Sequence, residues 1–346
     1  MSAQTSAKPT HYLPVREDWL NRRREAALEP DLPIVDAHHH LWDRPGWRFL
    51  AEEMAADIAA SGHNVQATVF VQAITRYRTE GPESLRPVGE TEFVAGIGDR
   101  AEAGAFGGVR LAAGIVGYVD LTEGAVVQDV LEAHIAAGRG RFRGVRHNAM
   151  WDADMSLVNP LNPRPRGLLL DPKYREGFAR LAPLGLTFDA WLFHPQIPEL
   201  TDLARAYPDT TIILDHLGGP LCAGVYEGCR AEVFAAWQPA VRELATCPNV
   251  VVKLGGLGMR VNGFGFEKAP DPPSSETLAA AFKPYFDTCL EAFGPERCMF
   301  QSNFPVDKGS FGYGEIWNAY KRMTAGMSAS ERAALFGGTA RRIYRL

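Results

Sequence analysis

Pro33-Ile34-Val35-Asp36-Ala37-His38-His39-His40-Leu41-Trp42 decides the fold class of this chain. Residues 34–38 form a short, mostly apolar run, the pattern of a strand buried on both faces. An open, doubly wound α/β sheet would follow such a strand with a glycine-rich phosphate loop; here His39, His40, Leu41 and Trp42 follow instead. Successive strand side chains point to opposite faces, so Asp36, His38 and His40 are expected on one face, Ala37 and His39 on the other. Two imidazoles about 7 Å apart on one strand face can hold a single ion when another strand supplies a further ligand.

Outward from this stretch, seven more short apolar runs follow, at residues 67–71, 111–119, 142–146, 186–193, 211–215, 250–254 and 299–302. Between them, residues 124–137, 172–184, 198–206, 231–246 and 276–293 carry apolar side chains three and four apart, as helices packed on one face do. Gly138, Gly185, Pro208, Pro248 and Gly294 close these helices. Alternating β and α predicts a parallel sheet, and eight repeats with nothing left over predict an α/β (β/α)₈ TIM barrel; a doubly wound sheet is the alternative. The barrel domain is expected over residues 33–346, with an enlarged loop and helix at 76–108. Residues 1–32, punctuated by Pro9, Pro14 and Pro30, read as an N-terminal arm. A short polar helix is expected at 17–28, and the arm either wraps the barrel or reaches a neighbouring subunit of a homo-oligomer.

Composition narrows the class further. The 346 residues are 46% apolar and 22% charged, an ordinary globular balance. Lys and Arg number 36 against 41 Asp and Glu, a net charge of −5, which gives no electrostatic basis for binding nucleic acid. Cys222, Cys229, Cys247, Cys289 and Cys298 are odd in number and never spaced C-x-x-C, so neither a disulfide framework nor a cysteine zinc site is expected. No apolar stretch is long enough to cross a membrane, and Met1-Ser2-Ala3-Gln4-Thr5 does not begin a signal peptide. A cytoplasmic protein is expected.

In a (β/α)₈ barrel, function sits at the C-terminal strand ends. There the sequence places His38 and His40, Gln72 and Arg76, Asp120, Arg146 and His147, His194, Asp215 and His216, and finally Asn303 and Asp307, with Lys253 inside strand seven. Five of the nine histidines thus gather at one rim. Taken singly, these residues have plainer roles as well. His38 and His40 could be buried neutral imidazoles, His194 a loop cap, and His216 a hydrogen-bonding partner of the strand-five loop. Arg146 could grip a substrate carboxylate with its two-pronged guanidinium or pair with Asp120. Trp42, Trp47 and Trp151 could wall a ring-shaped substrate or simply pack. Gly255-Gly256-Leu257-Gly258 lacks the Lys-Ser/Thr of a phosphate loop.

Asp36-Ala37-His38-His39-His40-Leu41-Trp42-Asp43, Gly144-Val145-Arg146, Asp215-His216-Leu217-Gly218-Gly219 and Ser302-Asn303-Phe304-Pro305-Val306 together resemble the amidohydrolase-2 family of the amidohydrolase superfamily. These are metal-dependent TIM-barrel hydrolases, a group with sugar-acid lactonases and 2-pyrone-4,6-dicarboxylate lactonase among its members. The resemblance spans about residues 33–346. It implies that His38, His40 and His194 hold a divalent ion, that His216 is the strand-six histidine, and that Arg146 grips a carboxylate, with Arg76 and Trp42 as further substrate-binding candidates. All-imidazole ligation favours zinc, which would lower the pKa of water towards roughly 7. Asn303 departs from the pattern, because the family places an Asp there as metal ligand and general base. An amide cannot ionise, so the base falls to His216 or Asp307, and Asn303 keeps only its hydrogen bonds. Pyrone lactonases in this group also work without metal. The implied function is a hydrolase opening a lactone of an anionic small molecule with activated water. A metal-dependent decarboxylase of an aromatic or unsaturated acid is the alternative, and a non-catalytic binder of an acidic small molecule a third reading.

Overall fold

A computed structural model of the chain describes residues 12–159 and 162–346. Eight parallel strands run in chain order: β1 (Ile34–His39), β2 (Val65–Val71), β3 (Arg110–Gly117), β4 (Phe142–Val145), β5 (Thr187–Ala190), β6 (Ile212–Leu214), β7 (Val250–Leu254) and β8 (Cys298–Phe300). Each pairs with its sequence neighbour. The ring closes between β8 and β1. Ser302 N donates to Asp36 Oδ1 at 2.8 Å, Asn303 N to the His38 carbonyl at 2.9 Å, and His40 N to the Phe304 carbonyl at 2.7 Å. Helices flank the strands, and the architecture is the (β/α)₈ barrel.

Alternation along the strands divides the apolar residues into two layers. Small and β-branched side chains, among them Val35, Ala37, Ala67, Val69, Val71 and Val251, fill the interior. The last helix, Thr339–Tyr344, closes that interior with Ala340 and Tyr344. The outward side chains, such as Phe70, Ile115, Phe188 and Phe300, pack with the helices in a larger cluster. A barrel core of this kind is solid, so only the open rim is available for chemistry.

Three local expectations change. In β1 the pairing register slips between Asp36 and His39. This bulge turns Asp36 away from the two histidines: its carboxylate accepts from Ser302 N and from Tyr313 Oη at 3.0 Å. β5 ends at Ala190, short of Phe193, because the chain turns into a 3₁₀ segment at His194–Gln196. Past β1 the chain forms a hairpin, Trp42–Arg44 against Trp47–Phe49, which no sequence signal had indicated.

Of the arm, residues 1–11 lie outside the described residues; from Tyr12 onward it follows its own barrel. Its helix is only Glu17–Leu20, after which the chain holds on by side chains. Trp19 is buried and donates Nε1–H to the Ala269 carbonyl at 3.0 Å, Arg23 reaches the Pro272 carbonyl at 2.8 Å, and Leu28 N donates to Asn318 Oδ1 at 2.8 Å.

Candidate active site

The β1 bulge and the turns after β4 and β6 bring four side chains together at the rim. His38 and His40 face each other with their Nε2 atoms 3.1 Å apart. His40 Nδ1 donates to the Val71 carbonyl at 2.8 Å, so its Nε2 carries a lone pair directed at His38. Arg146, just past β4, places Nη1 3.4 Å from His38 Nε2 and donates through Nη2 to the carbonyl and side chain of Gln72. His216 lies two residues past β6, its ring centroid 4.6 Å from that of His38 and edge-on to Trp191. Its φ of +53° lies in the left-handed region, a strained state for a residue other than glycine.

A glycine makes room for that ring. Gly256 has φ +78°, and a Cβ there would collide with His216 Nδ1. Gln301 holds the same nitrogen at 2.7 Å. Burial is the main force pushing His38, His40 and His216 well below the usual histidine range. Lys253 adds to it at His38, Arg146 at His40, and His38 at His216. All three are therefore neutral near pH 7, the form that binds metal.

Beneath the histidines is a buried charge network. Lys253 Nζ lies 2.5 Å from Asp189 Oδ2, 3.2 Å from Asp215 Oδ1 and 3.3 Å from His38 Nδ1. Tyr344 donates to Asp189 Oδ2 at 2.8 Å from the closed end of the barrel. Burial raises the Asp189 carboxyl to about 6, against the pull of Lys253. Arg146 Nη1 is 4.0 Å from Asp215 Oδ2, so two cations face two carboxylates out of water. Such a group holds together only while every member is present.

At the end of β8, Asn303 has φ +57° and donates Nδ2–H to Asp307 Oδ1 at 2.9 Å. Asp307 Oδ2 accepts from Gly258 N at 3.0 Å. Burial pushes the Asp307 carboxyl up to about 8, with those two hydrogen bonds pulling the other way. Asn303 Oδ1 is buried and has no partner among the described residues.

These groups open into a cleft lined by His40, Trp42, Gln72, Arg146, His216 and Asn303, with Tyr12 of the arm among its walls. Asp307 is not on its wall. His194, expected beside His38 and His40, is elsewhere too. Since β5 ends at Ala190, the chain has left the rim by the time it reaches His194, whose Nδ1 accepts from Leu221 N at 3.3 Å and whose ring meets Tyr226. His147 likewise turns away, accepting from Leu121 N at 3.1 Å. Three of the five rim histidines therefore meet. Arg76 is exposed and pairs with Asp43 at 3.1 Å, and Arg146 has Asp215 beside it rather than Asp120.

The donor set suits a divalent ion. At a Zn–N distance of about 2.05 Å, two nitrogens on one tetrahedral ion stand roughly 3.3 Å apart, close to the observed His38–His40 gap. Donor atoms of His38, Asp215 and His216 lie within 4.8 Å of one another, and His40 joins that cluster through its contact with His38.

Comparison with known proteins identifies the family. The family profile described as Amidohydrolase matches residues 35–346. The chain is 32% identical to an uncharacterized protein, y4mH, of Sinorhizobium fredii, over 91% of this chain and 99% of the other. It is 30% identical to an L-fucono-1,5-lactonase of Burkholderia multivorans, over 90% of this chain and 96% of that enzyme. A crystal structure of an amidohydrolase from Burkholderia multivorans with bound zinc is similar at a TM-score of 0.66 and 27% identity, covering 90% of this chain and 99% of that one.

Proposed function

This chain belongs to the amidohydrolase family, and from that premise we propose that it opens the ring of a lactone carried by an anionic small molecule. It is an enzyme, a hydrolase. One observation carries the finer reading: His40, His216 and the Arg146 guanidinium line a single cleft, and the buried His38 contacts all three from beneath. The lactonase named above, similar over nearly its whole length, supports the same class of reaction.

His38, His40 and His216 would hold the divalent ion, zinc on this reading, with Asp215 behind them. When bound, the ion supplies Lewis acidity and lowers the pKa of water in the site. Arg146 anchors the substrate carboxylate through charge-assisted hydrogen bonds worth about 1.5–3 kcal/mol. Trp42 and Trp191 flank the ring. Water attacks the carbonyl carbon, the C–O bond to the ring oxygen breaks, and the water's proton ends on the departing oxygen, giving a hydroxy acid. Asn303 cannot take that proton; its carbonyl oxygen accepts a hydrogen bond.

The proposed setting is the cytoplasm. All five cysteines are free, and among the described residues no helix is long and apolar enough to cross a membrane.

The test is hydrolysis of a panel of sugar-acid and aromatic ring-cleavage lactones by protein of known metal content, beside His38→Ala. Ring opening by the parent and its loss in the variant support the reading. Equal rates from the two would reject it.

A further inference from the structure

Asp307 is buried just past β8, and each of its oxygens is engaged once: Oδ1 accepts from Asn303 Nδ2 and Oδ2 from Gly258 N. A side-chain amide can present either its NH₂ or its carbonyl to a neighbour. Ionised, the form that both N–H donors favour and that predominates above about pH 8, Asp307 only accepts and so admits one orientation: NH₂ towards Asp307, Oδ1 away from it. Asn303 lines the cleft next to β1, its own N–H bonded to the His38 carbonyl, and its Oδ1 is buried without a partner among the described residues. An acceptor left this way carries an uncompensated desolvation cost until a donor arrives.

We propose that Asp307 is a positioning residue: it locks the Asn303 amide so that Oδ1 accepts a hydrogen bond from the attacking water and turns that water's lone pair towards the substrate carbonyl. This deepens the lactonase reading and rests on it. The place beside His38 favours water over a remote substrate hydroxyl as the donor.

The hydrogen-bond inventory dictates a pattern of variants. In Asp307→Asn, the new amide has one acceptor for two donors. It either abandons Gly258 N or turns the Asn303 carbonyl away from the cleft. Asn303→Asp sets two carboxyls against each other. The exchanged pair, Asn303→Asp with Asp307→Asn, satisfies every group again: the amide at 307 donates to residue 303 and accepts from Gly258 N, and an oxygen of residue 303 still faces the cleft.

The experiment compares kcat, KM, metal content and thermal stability for the parent, both single variants and the exchange, all loaded with zinc. The expected result is a fall in kcat on the order of 100-fold in each single variant with KM within about threefold, and recovery of most of that loss in the exchange. A KM rise with kcat intact would overturn the proposal by making Oδ1 a substrate contact, and so would an exchange no better than the single variants. Thermal stability reads the pair without any substrate: additive losses in the two single variants, with no recovery in the exchange, would overturn it whether or not lactones are turned over. A parent inactive on every lactone while the exchange recovers stability would reject the lactonase reading, and the water-orienting role with it, and leave the pairing intact.

Discussion

Lys253 Nζ sits 2.5 Å from Asp189 Oδ2, with both side chains wholly buried under the histidines of the cleft. The lysine also approaches Asp215 and His38, so it joins the barrel core to the rim. Lys253→Met removes the cation and leaves two carboxylates without it. Breaking one partner out of a buried ion pair costs about 3–5 kcal/mol. Denaturant unfolding should show a loss of that size, and Lys253→Met with Asp189→Asn should lose less than Lys253→Met alone. A Lys253→Met protein as stable as the parent would contradict this picture of the network.

Gly256 is the second test. Its left-handed backbone and the closeness of His216 Nδ1 to the position a Cβ would occupy leave no space for a methyl group. Gly256→Ala should displace the imidazole and lower kcat/KM on the order of 100-fold, because misplacing a reacting group by about 1 Å has that effect. Gly96, where a Cβ meets nothing within 4 Å, is the control, and Gly96→Ala should leave turnover unchanged.

Arg146→Lys keeps the charge and removes the fork. For lactones bearing a carboxylate, KM should rise about tenfold or more, while a lactone without one should change little. Equal effects on both substrates would argue against a carboxylate at Arg146.

Stability should depend steeply on pH. Burial lowers eight described histidines below their usual value: His38, His39, His40, His63, His134, His147, His194 and His216. As pH falls through about 6.5, the unfolded chain takes up protons that the folded chain refuses, so each histidine costs up to about 1.4 kcal/mol per pH unit. Asp36, Asp189, Glu90 and Asp307 act in the opposite sense, since burial raises them to about 6, 6, 7 and 8 and the folded state keeps their protons longer. The histidines outnumber them. Thermal unfolding of metal-free protein should therefore move to lower temperature between pH 6.5 and 5; a flat or rising profile would contradict the buried neutral imidazoles.

What the sequence made legible was local pattern. Apolar runs at regular intervals located all eight strands, and short motifs located His38, His40, Arg146, His216 and Asn303. What it hid depended on three-dimensional register. A bulge in β1 separates Asp36 from the histidines with which simple alternation grouped it. The apolar run 186–193 looks like one long strand, yet only Thr187–Ala190 pairs, and the difference carries His194 away from the cleft. Asp189 and Tyr344 lie far apart in sequence and meet only because the last helix closes the barrel. An aspartate amid the apolar run 186–193 and a lysine amid the run 250–254 were the signs of that network in the sequence.

The proposed chemistry depends on His38, His40 and His216, without His194, forming one donor set. Anomalous diffraction at the zinc edge, from crystals of the loaded protein, puts that to the test. A single peak bonded by His38, His40 and His216 is the predicted result; a peak on His194, or none in crystals of active enzyme, would contradict it.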